Sequence, residues 1–200
     1  MIALLACAFA AEPVQIRVDR SARTISVVEG GEVIASEPVG IGRGGLGEKT
    51  SMSDFVTPTG TFTVDLVLHA SGDKNAVAPG VVERFAAEPE YARLLSGEPG
   101  LSGLFENMNG LDFDGNGQPD GAYGVAYVGL SSETAITGPK MRRHSKSKTP
   151  YWYGIALHGT PDPDNLGAAN SGGCVHLSAT LLEQLIEDEV LAVGATVTID

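Results

Sequence analysis

Two short segments near the C-terminal end carry the residues best able to do chemistry. They are His158-Gly159-Thr160 and the run SGGCVH at 171–176, which holds Cys174. A cysteine attacks a carbonyl carbon as its thiolate, so its usual pKa of about 8.5 must be lowered by an imidazolium or a helix N-terminus. His158 ends an apolar run, and a helical pattern begins soon after Cys174, so an imidazolium and a helix N-terminus are both available. The spacing fits covalent catalysis, and it fits a buried structural cysteine beside a core histidine equally well.

The two glycines before Cys174, Gly172 and Gly173, allow a tight turn at the thiol. Backbone N–H groups in such a turn can converge on the oxyanion that forms when a thiolate attacks a carbonyl carbon. If the cysteine is catalytic, the turn therefore supplies a second part of the machinery.

The elements that must position these groups are mostly strands. Alternating apolar residues, bounded by turn residues, predict strands at 14–18, 24–28, 57–69, 152–160 and 196–199, with a hairpin turn at 29–32. Residues 178–194 fit an amphipathic helix with Ser178 as its N-cap and Gly194 just after its end. Residues 70–150 are predicted to form an insertion over one face of the sheet, with a short helix near 90–96.

Composition narrows the class of protein. The chain has 200 residues, a one-domain length, and 42% of them are apolar, which is enough for one core. With 13 basic and 25 acidic residues the net charge is −12, so the chain repels phosphate backbones and nucleic acid is not an expected partner. The 26 glycines indicate a turn-rich, mainly β protein.

The N-terminal segment, residues 1–11, is expected to be an export signal or a lipoprotein leader. Its apolar run at 2–10 is too short for a bilayer span of about 20 residues, but it suits the core of an export signal. Ala8-Phe9-Ala10 fits a cleavage site, and the four residues ending at Cys7 resemble a lipobox, which would anchor the chain through a lipid on Cys7. No Lys or Arg precedes Arg17, so an apolar first strand is the alternative. In either exported form Cys174 is the remaining thiol, and no disulfide is predicted.

Four elements in order resemble the catalytic domain of the L,D-transpeptidase (YkuD-type) family. They are TPTGTF at 57–62, IALHGT at 155–160, SGGCVH at 171–176, and LLEQL followed by GATVTI near the C-terminus. The resemblance covers residues 12–200, with the insertion at about 70–150 outside its specific part. It implies a mainly β (β-rich α+β) fold: a β-sandwich or barrel with a C-terminal helix packed on it and a long insertion near the active site.

The resemblance also implies roles for the site residues. Cys174 would be the nucleophile and His158 the general base and later acid; the supporting groups would be Ser171 and Gly159 in the hydrogen-bonding frame and the backbone N–H groups of Gly173 and Cys174 as oxyanion donors. The implied reaction cleaves the amide after the third residue of a peptidoglycan stem tetrapeptide. D-alanine leaves, a thioester forms, and an amine of a neighbouring stem captures the acyl group as a cross-link. No cofactor is required.

One departure from the family pattern concerns the residue two positions after the cysteine. The family has Arg or Asn there, and this chain has His176, whose charge depends on pH. His176 could support the site, alter substrate choice, or replace His158 as the base. Two other functions remain. Water could resolve the thioester, as in an L,D-carboxypeptidase, or His176 and the acidic loop at 111–121 could mark a non-catalytic, calcium-stabilised peptidoglycan-binding module.

An acidic loop at 111–121 has the spacing of a calcium-binding loop. Counted from Asp112, the ligands would be five residues at the first, third, fifth, seventh and ninth positions: Asp112, Asp114, Asn116, Gln118 through its carbonyl, and Asp120. Tyr123 stands where a bidentate Glu is usual. The pattern predicts a structural Ca²⁺ site, and it equally fits a solvated Asp-Gly turn that binds nothing.

A basic run at 140–148 holds five of the 13 basic residues, among them Arg142 and Arg143. Such a run could attract the carboxylates of stem peptides or an acidic envelope polymer, or it could be a solvated charged loop. Tyr151 and Tyr153 follow it and are expected to line the substrate groove.

Overall fold

The computed structural model describes residues 14–86, 100–131 and 155–200. In these ranges the helices are α1 (Pro79–Ala86), α2 (Gly100–Asn109) and α3 (Ala179–Glu187), and 3-10 turns occur at Met52–Asp54 and Pro163–Asn165. The strands are β1 (Gln15–Asp19), β2 (Thr24–Glu29), β3 (Glu32–Pro38), β4 (Ile41–Gly42), β5 (Gly60–His69), β6 (Ala76–Val77), β7 (Ala126–Ser131), β8 (Ala156–Gly159), β9 (Ala169–Ser171), β10 (Val175–Leu177) and β11 (Thr196–Ile199).

One large sheet forms the body of the molecule. Its strands follow the order β10-β8-β7-β5-β11-β1-β2-β3, with β6 paired to β5, while β4 and β9 form a separate parallel pair. Beyond β3, Gly40 forms a bridge to His176 in β10. The two residues exchange backbone hydrogen bonds of 3.0 and 2.9 Å, which brings the ends of the sheet together in a nearly closed barrel. The predicted mainly β fold is confirmed.

The N-terminal hairpin forms as its sequence predicts. In β1, Ile16 and Val18 point into the core while Arg17 between them is exposed. The turn between β2 and β3 holds Gly30 and Gly31, whose φ angles are 57° and 84°. Two consecutive positive φ values match the twist of a two-residue hairpin, and glycine adopts them without steric cost.

Strand β7 lies inside the segment predicted as an insertion. It pairs with β5 on one side and β8 on the other, near the middle of the sheet. Assigning all of 70–150 to one face of the sheet was therefore wrong for 126–131. The first five residues of β7 are buried, so the segment lacks the alternation that marks a half-exposed strand. The short helix predicted near 90–96 lies outside the described residues.

Helix α3 packs on the sheet through a buried apolar stripe of Leu181, Leu182, Leu185 and Ile186. The predicted N-cap is confirmed, because Ser178 Oγ accepts a hydrogen bond from the N–H of Leu181 at 3.2 Å. The predicted end at Gly194 was wrong. The helix ends at Glu187, since Glu189 takes a left-handed backbone conformation with a φ of 58°. No helix in the described part of the chain is long and apolar enough to cross a membrane.

Candidate active site

The sheet brings the proposed nucleophile and both histidines onto one face. Strands β8 and β10 run parallel with His158 directly opposite His176, and Cys174 immediately precedes β10. Since side chains alternate along a strand, Cys174 and His176 share a face, as do Ala156 and His158 on the neighbouring strand. Tyr127 of β7 lies opposite His158 and extends the row across a third strand.

His158 is buried, with 5% of its surface exposed, and its ring orientation is fixed. Its Nδ1 lies 2.7 Å from the carbonyl oxygen of Gly159. A carbonyl only accepts, so Nδ1 carries the hydrogen and Nε2 keeps the lone pair that a general base needs. Burial, and then the neighbouring His176, lower the pKa of His158 to about 3. The imidazole is therefore neutral at neutral pH.

Aromatic rings surround that imidazole. The ring of Tyr123 meets it edge-on at 4.9 Å between centroids, and the ring of Tyr127 lies nearly parallel to it at 6.4 Å. The His176 ring is 4.7 Å away. Such packing holds the imidazole in one position and keeps its surroundings apolar.

The thiol of Cys174 packs against the same apolar cluster, which includes Tyr123 and Tyr127. The residue as a whole is only partly buried, but burial of its thiol dominates and raises the pKa to about 11. A backbone hydrogen bond from Ala156 and the charge of Lys49 act in the opposite direction. The resting thiol is therefore protonated at neutral pH.

The sequence-based expectation of a lowered thiol pKa was wrong for this resting state. The nearby imidazole of His158 is uncharged, so it supplies no positive charge. Strand β10 separates Cys174 from α3. The effect of a helix N-terminus falls off within one turn, and three residues of strand span about 10 Å.

Ser171 frames the turn that carries the nucleophile. Its Oγ donates to the carbonyl oxygen of Cys174 at 2.6 Å and accepts from the N–H of Gly173 at 3.0 Å. Gly173 has a φ of 126°, and a Cβ there would lie 3.1 Å from the carbonyl oxygen of Val56. Glycine is thus required at this position. The oxyanion role of the Gly173 N–H stays a prediction, and it requires exchange of the bond to Ser171.

His176 contributes a buried nitrogen without a partner. Its Nδ1 is inaccessible to solvent and makes no hydrogen bond to the described residues. Burial lowers the pKa of His176, so this ring is also neutral at neutral pH. An unsatisfied buried polar atom costs about 1–3 kcal/mol, so this nitrogen lowers the stability of the fold.

Several residues of this site carry no signal in the sequence. Tyr123 marked only a mismatch to the calcium-loop pattern, and Tyr127 lay in the segment assigned to the insertion. Lys49 lies in a Gly- and Ser-rich loop, yet it is 5% exposed, and its Nζ is 2.9 Å from Oδ1 of Asp54. Only the folded chain shows that this loop lies beside the nucleophile turn.

The acidic loop is folded around its own carboxylates. One oxygen from each of Asp112, Asp114 and Asp120 lies within 4.8 Å of the others. Asp112 accepts hydrogen bonds from three backbone N–H groups of the loop, and these lower its carboxyl pKa. Three converging carboxylates suit Ca²⁺, while the Asn116 side-chain oxygen accepts from the N–H of Gln118. Calcium binding stays a prediction.

The residues expected to bind substrate, Tyr151, Tyr153, Arg142 and Arg143, lie outside the described part of the chain, as does Cys7. Their roles stay predictions.

With this geometry established, comparison with known proteins identifies the family. The model of a protein family described as the L,D-transpeptidase catalytic domain, YkuD, matches residues 13–199. The chain therefore belongs to the YkuD family of L,D-transpeptidase catalytic domains. No curated protein matches the chain significantly.

Solved structures of L,D-transpeptidases are similar to the chain at low identity. One from Mycobacterium smegmatis is 18% identical, with 95% of this chain and 59% of that chain covered and a TM-score of 0.45. One from Xylanimonas cellulosilytica is 14% identical, with 96% and 62% covered and a TM-score of 0.45. One from Mycobacterium tuberculosis is 15% identical, with 94% and 57% covered and a TM-score of 0.47. The chain thus spans about three fifths of the length of these proteins.

Proposed function

We propose that the protein is an exported cysteine L,D-transpeptidase that cross-links peptidoglycan stem peptides through a thioester. The observation that carries the proposal is the juxtaposition of Cys174 and His158 on neighbouring strand ends, in a chain of this family. The thiol and the imidazole both pack against Tyr123 and Tyr127, and Nε2 of the imidazole carries its lone pair. These are the two groups that acyl transfer through a cysteine requires.

Acylation proceeds from the neutral thiol and the neutral imidazole. As Sγ of Cys174 attacks the carbonyl carbon of the stem peptide, its proton passes to Nε2 of His158 and the carbonyl oxygen becomes an oxyanion. The tetrahedral intermediate then collapses, the C–N bond breaks, and the imidazolium returns its proton to the amine of the leaving D-alanine. A thioester on Cys174 remains.

Deacylation repeats these transfers in reverse. His158 removes a proton from the amine of a second stem peptide as that amine attacks the thioester. The C–S bond breaks, and the imidazolium protonates the departing thiolate. Because burial disfavours both charged forms, charge separates only while a substrate provides partners for it.

The covalent step is tested with a carbapenem, a strained amide analogue that acylates a nucleophilic thiol. We expect the intact mass of the wild type to increase by one inhibitor, and the mass of Cys174→Ala to stay unchanged. Ser36→Ala is a matched control, because Ser36 lies in β3 and pairs with Ser26 of β2. Equal labelling of wild type and Cys174→Ala would contradict the role of Cys174. No labelling, together with binding to cell-wall sacculi that Cys174→Ser leaves unchanged, would indicate a non-catalytic binding module.

The acyl acceptor is tested with purified muropeptides. We expect cross-linked dimers, in which an amine has captured the thioester. Tripeptides alone would show that water resolves the intermediate and that the enzyme is an L,D-carboxypeptidase.

Export and anchoring also belong to this proposal, since peptidoglycan lies outside the cytoplasm. They are supported by the apolar segment at 2–10 and by the lipobox-like residues before Cys7. We expect the full chain, expressed in bacteria, to be recovered from the envelope. Lipid labelling lost in Cys7→Ser would establish the anchor, whereas cytoplasmic recovery of the unprocessed chain would contradict export.

A further inference from the structure

The loop between β4 and β5 packs directly against the nucleophile turn. The N–H of Gly42 donates to Thr57 Oγ1 at 2.8 Å, and the N–H of Gly44 donates to the carbonyl oxygen of Phe55 at 3.0 Å, so the ends of the loop are tied together. A Cβ built on Gly173 would lie 3.1 Å from the carbonyl oxygen of Val56 and 3.6 Å from Nζ of Lys49. The loop therefore places an ammonium group beside the residue that precedes Cys174.

That ammonium is buried and fixed in position. Burying a cation is costly unless it is paired, and Nζ of Lys49 is paired with Oδ1 of Asp54 at 2.9 Å. Asp54 also accepts hydrogen bonds from the N–H groups of Val56, Thr50 and Ser51, at 2.9, 2.6 and 2.8 Å. Burial raises the pKa of Asp54, but the hydrogen bonds from Lys49 and from these backbone groups outweigh it and hold the pKa well below the usual range. The carboxylate thus stays ionised and anchors both the loop and the lysine.

The charge of Lys49 acts on the nucleophile. Among the effects on the thiol, Lys49 lowers the pKa of Cys174 and so opposes burial. The imidazoles of His158 and His176 are neutral at neutral pH and supply no positive charge to the resting sulfur. A fixed lysine can act from the start of the reaction, because its position costs no reorganisation when negative charge develops.

We propose that Lys49 is an electrostatic positioning residue for Cys174: its ammonium, held by Asp54, stabilises the negative charge that develops on Sγ as the thiol proton passes to His158. The proposal rests on the proposed function only in taking Cys174 as the nucleophile. Its test uses the reactivity of the thiol alone and needs no peptidoglycan.

The experiment measures alkylation of Cys174 by iodoacetamide from pH 7 to 11, with peptide mapping to separate Cys174 from Cys7. In Lys49→Met we expect the rate at pH 8 to fall about 3- to 10-fold, because the loss of a nearby positive charge raises the pKa of the thiol and leaves less thiolate. Lys49→Arg should keep most of the wild-type rate. Lys74→Met is the matched control, since Lys74 forms only a surface ion pair with Glu187 at 3.0 Å, and it should leave the profile unchanged. An unchanged profile in folded Lys49→Met would overturn the proposal.

A second measurement avoids the risk that Lys49→Met fails to fold. Coupling between two charges is reciprocal, so the ¹⁵N titration curve of the Lys49 amine in the wild type should differ from that in Cys174→Ser, because only the wild type gains a thiolate beside it. The resonance is assigned by its absence in Lys49→Arg. Superimposable curves in the two proteins would overturn the proposal. A Lys49-dependent alkylation profile without a carbapenem adduct would instead contradict the proposed function and leave the role of Lys49 standing.

Discussion

At the scale of single residues, the two central groups of the candidate site are both uncharged at rest. Cys174 is protonated and His158 is neutral at neutral pH because the same burial disfavours both charged forms. Such a pair is slow towards adventitious electrophiles, since only a thiolate is strongly nucleophilic. Under the proposed function, a bound substrate therefore has to stabilise the developing charges before the proton moves from Cys174 to His158.

The two histidines differ in their contacts, which leads to a residue-scale prediction. His158 has its Nδ1 held by the Gly159 carbonyl, whereas Nδ1 of His176 has no partner among the described residues. We expect His158→Asn to lower the carbapenem acylation rate about 100-fold or more, since general-base catalysis contributes 10²–10⁴-fold. His176→Asn, which introduces a residue usual in the family, should stay within about 3-fold of the wild type. A larger loss of rate in His176→Asn than in His158→Asn would make His176 the base.

At the scale of secondary structure elements, the sequence predicts what is locally encoded. Alternation in β1 and β2, the double glycine of their hairpin and the Ser178 cap all depend on near neighbours, and they are confirmed. The positions of Cys174 and His158 could be inferred because strand ends and a glycine turn mark them.

Features that depend on distant contacts could not be predicted in this way. Strand β7 is buried throughout most of its length, so its pattern of apolar residues indicates neither a strand nor a helix. The raised thiol pKa comes from packing against Tyr123 and Tyr127, which lie 51 and 47 positions before Cys174 in the chain. Lys49 likewise reaches the site only because its loop folds onto Gly173.

The N-cap of α3 supports a prediction about stability. Ser178 Oγ accepts from Leu181 N–H and also donates to Oε2 of Glu37 at 2.7 Å, which ties the helix to β3. We expect Ser178→Ala to lower the free energy of unfolding by about 1–2 kcal/mol. The exposed Thr180→Ala, one residue into the helix, is the control and should change it by less than about 0.5 kcal/mol. Equal effects in urea unfolding would contradict the cap.

The acidic loop supports a second prediction at this scale. If Asp112, Asp114 and Asp120 bind Ca²⁺, calcium stabilises the folded state by mass action. We expect 5 mM CaCl₂, several times the Kd of about 10⁻⁴–10⁻³ M of weak extracellular sites, to raise the melting temperature. The rise should be lost in Asp114→Ala, while the same concentration of MgCl₂ should have a smaller effect. No rise in the wild type would mean that the loop is held by its own hydrogen bonds alone.

At the scale of the whole molecule, the buried histidines make the fold sensitive to acid. The unfolded chain takes up a proton at each histidine near pH 6.5, whereas folded His158 does so only near pH 3, and the pKa of folded His176 is also lowered. A folded-state pKa below the unfolded value means that stability is fully present above pH 6.5 and is lost as the pH falls. These two residues of the site therefore lower the stability of the entire fold in acid.

The corresponding prediction concerns urea unfolding between pH 6.5 and about 4.5, above the range in which carboxylates titrate. We expect the free energy of unfolding to fall with a slope of up to about 1.4 kcal/mol per pH unit for each buried histidine. His158→Gln should lower that slope by the contribution of one proton, and Lys74→Met should leave the slope unchanged. A flat profile in the wild type would show that the histidines are not buried as neutral rings in solution.

The bridge between Gly40 and His176 has a mechanical consequence. Apart from β6, neighbouring strands of the large sheet pair over three or more residues, but β10 meets the segment after β3 through two backbone hydrogen bonds. His176 belongs to that seam, and it lies two residues from the nucleophile. The segment after β3 is also tied to the chain just before Cys174, because the N–H groups of Ile41 and Arg43 donate to the carbonyl oxygens of Ala168 and Ser171. Any displacement along this seam is therefore transmitted to the nucleophile turn through the backbone of His176.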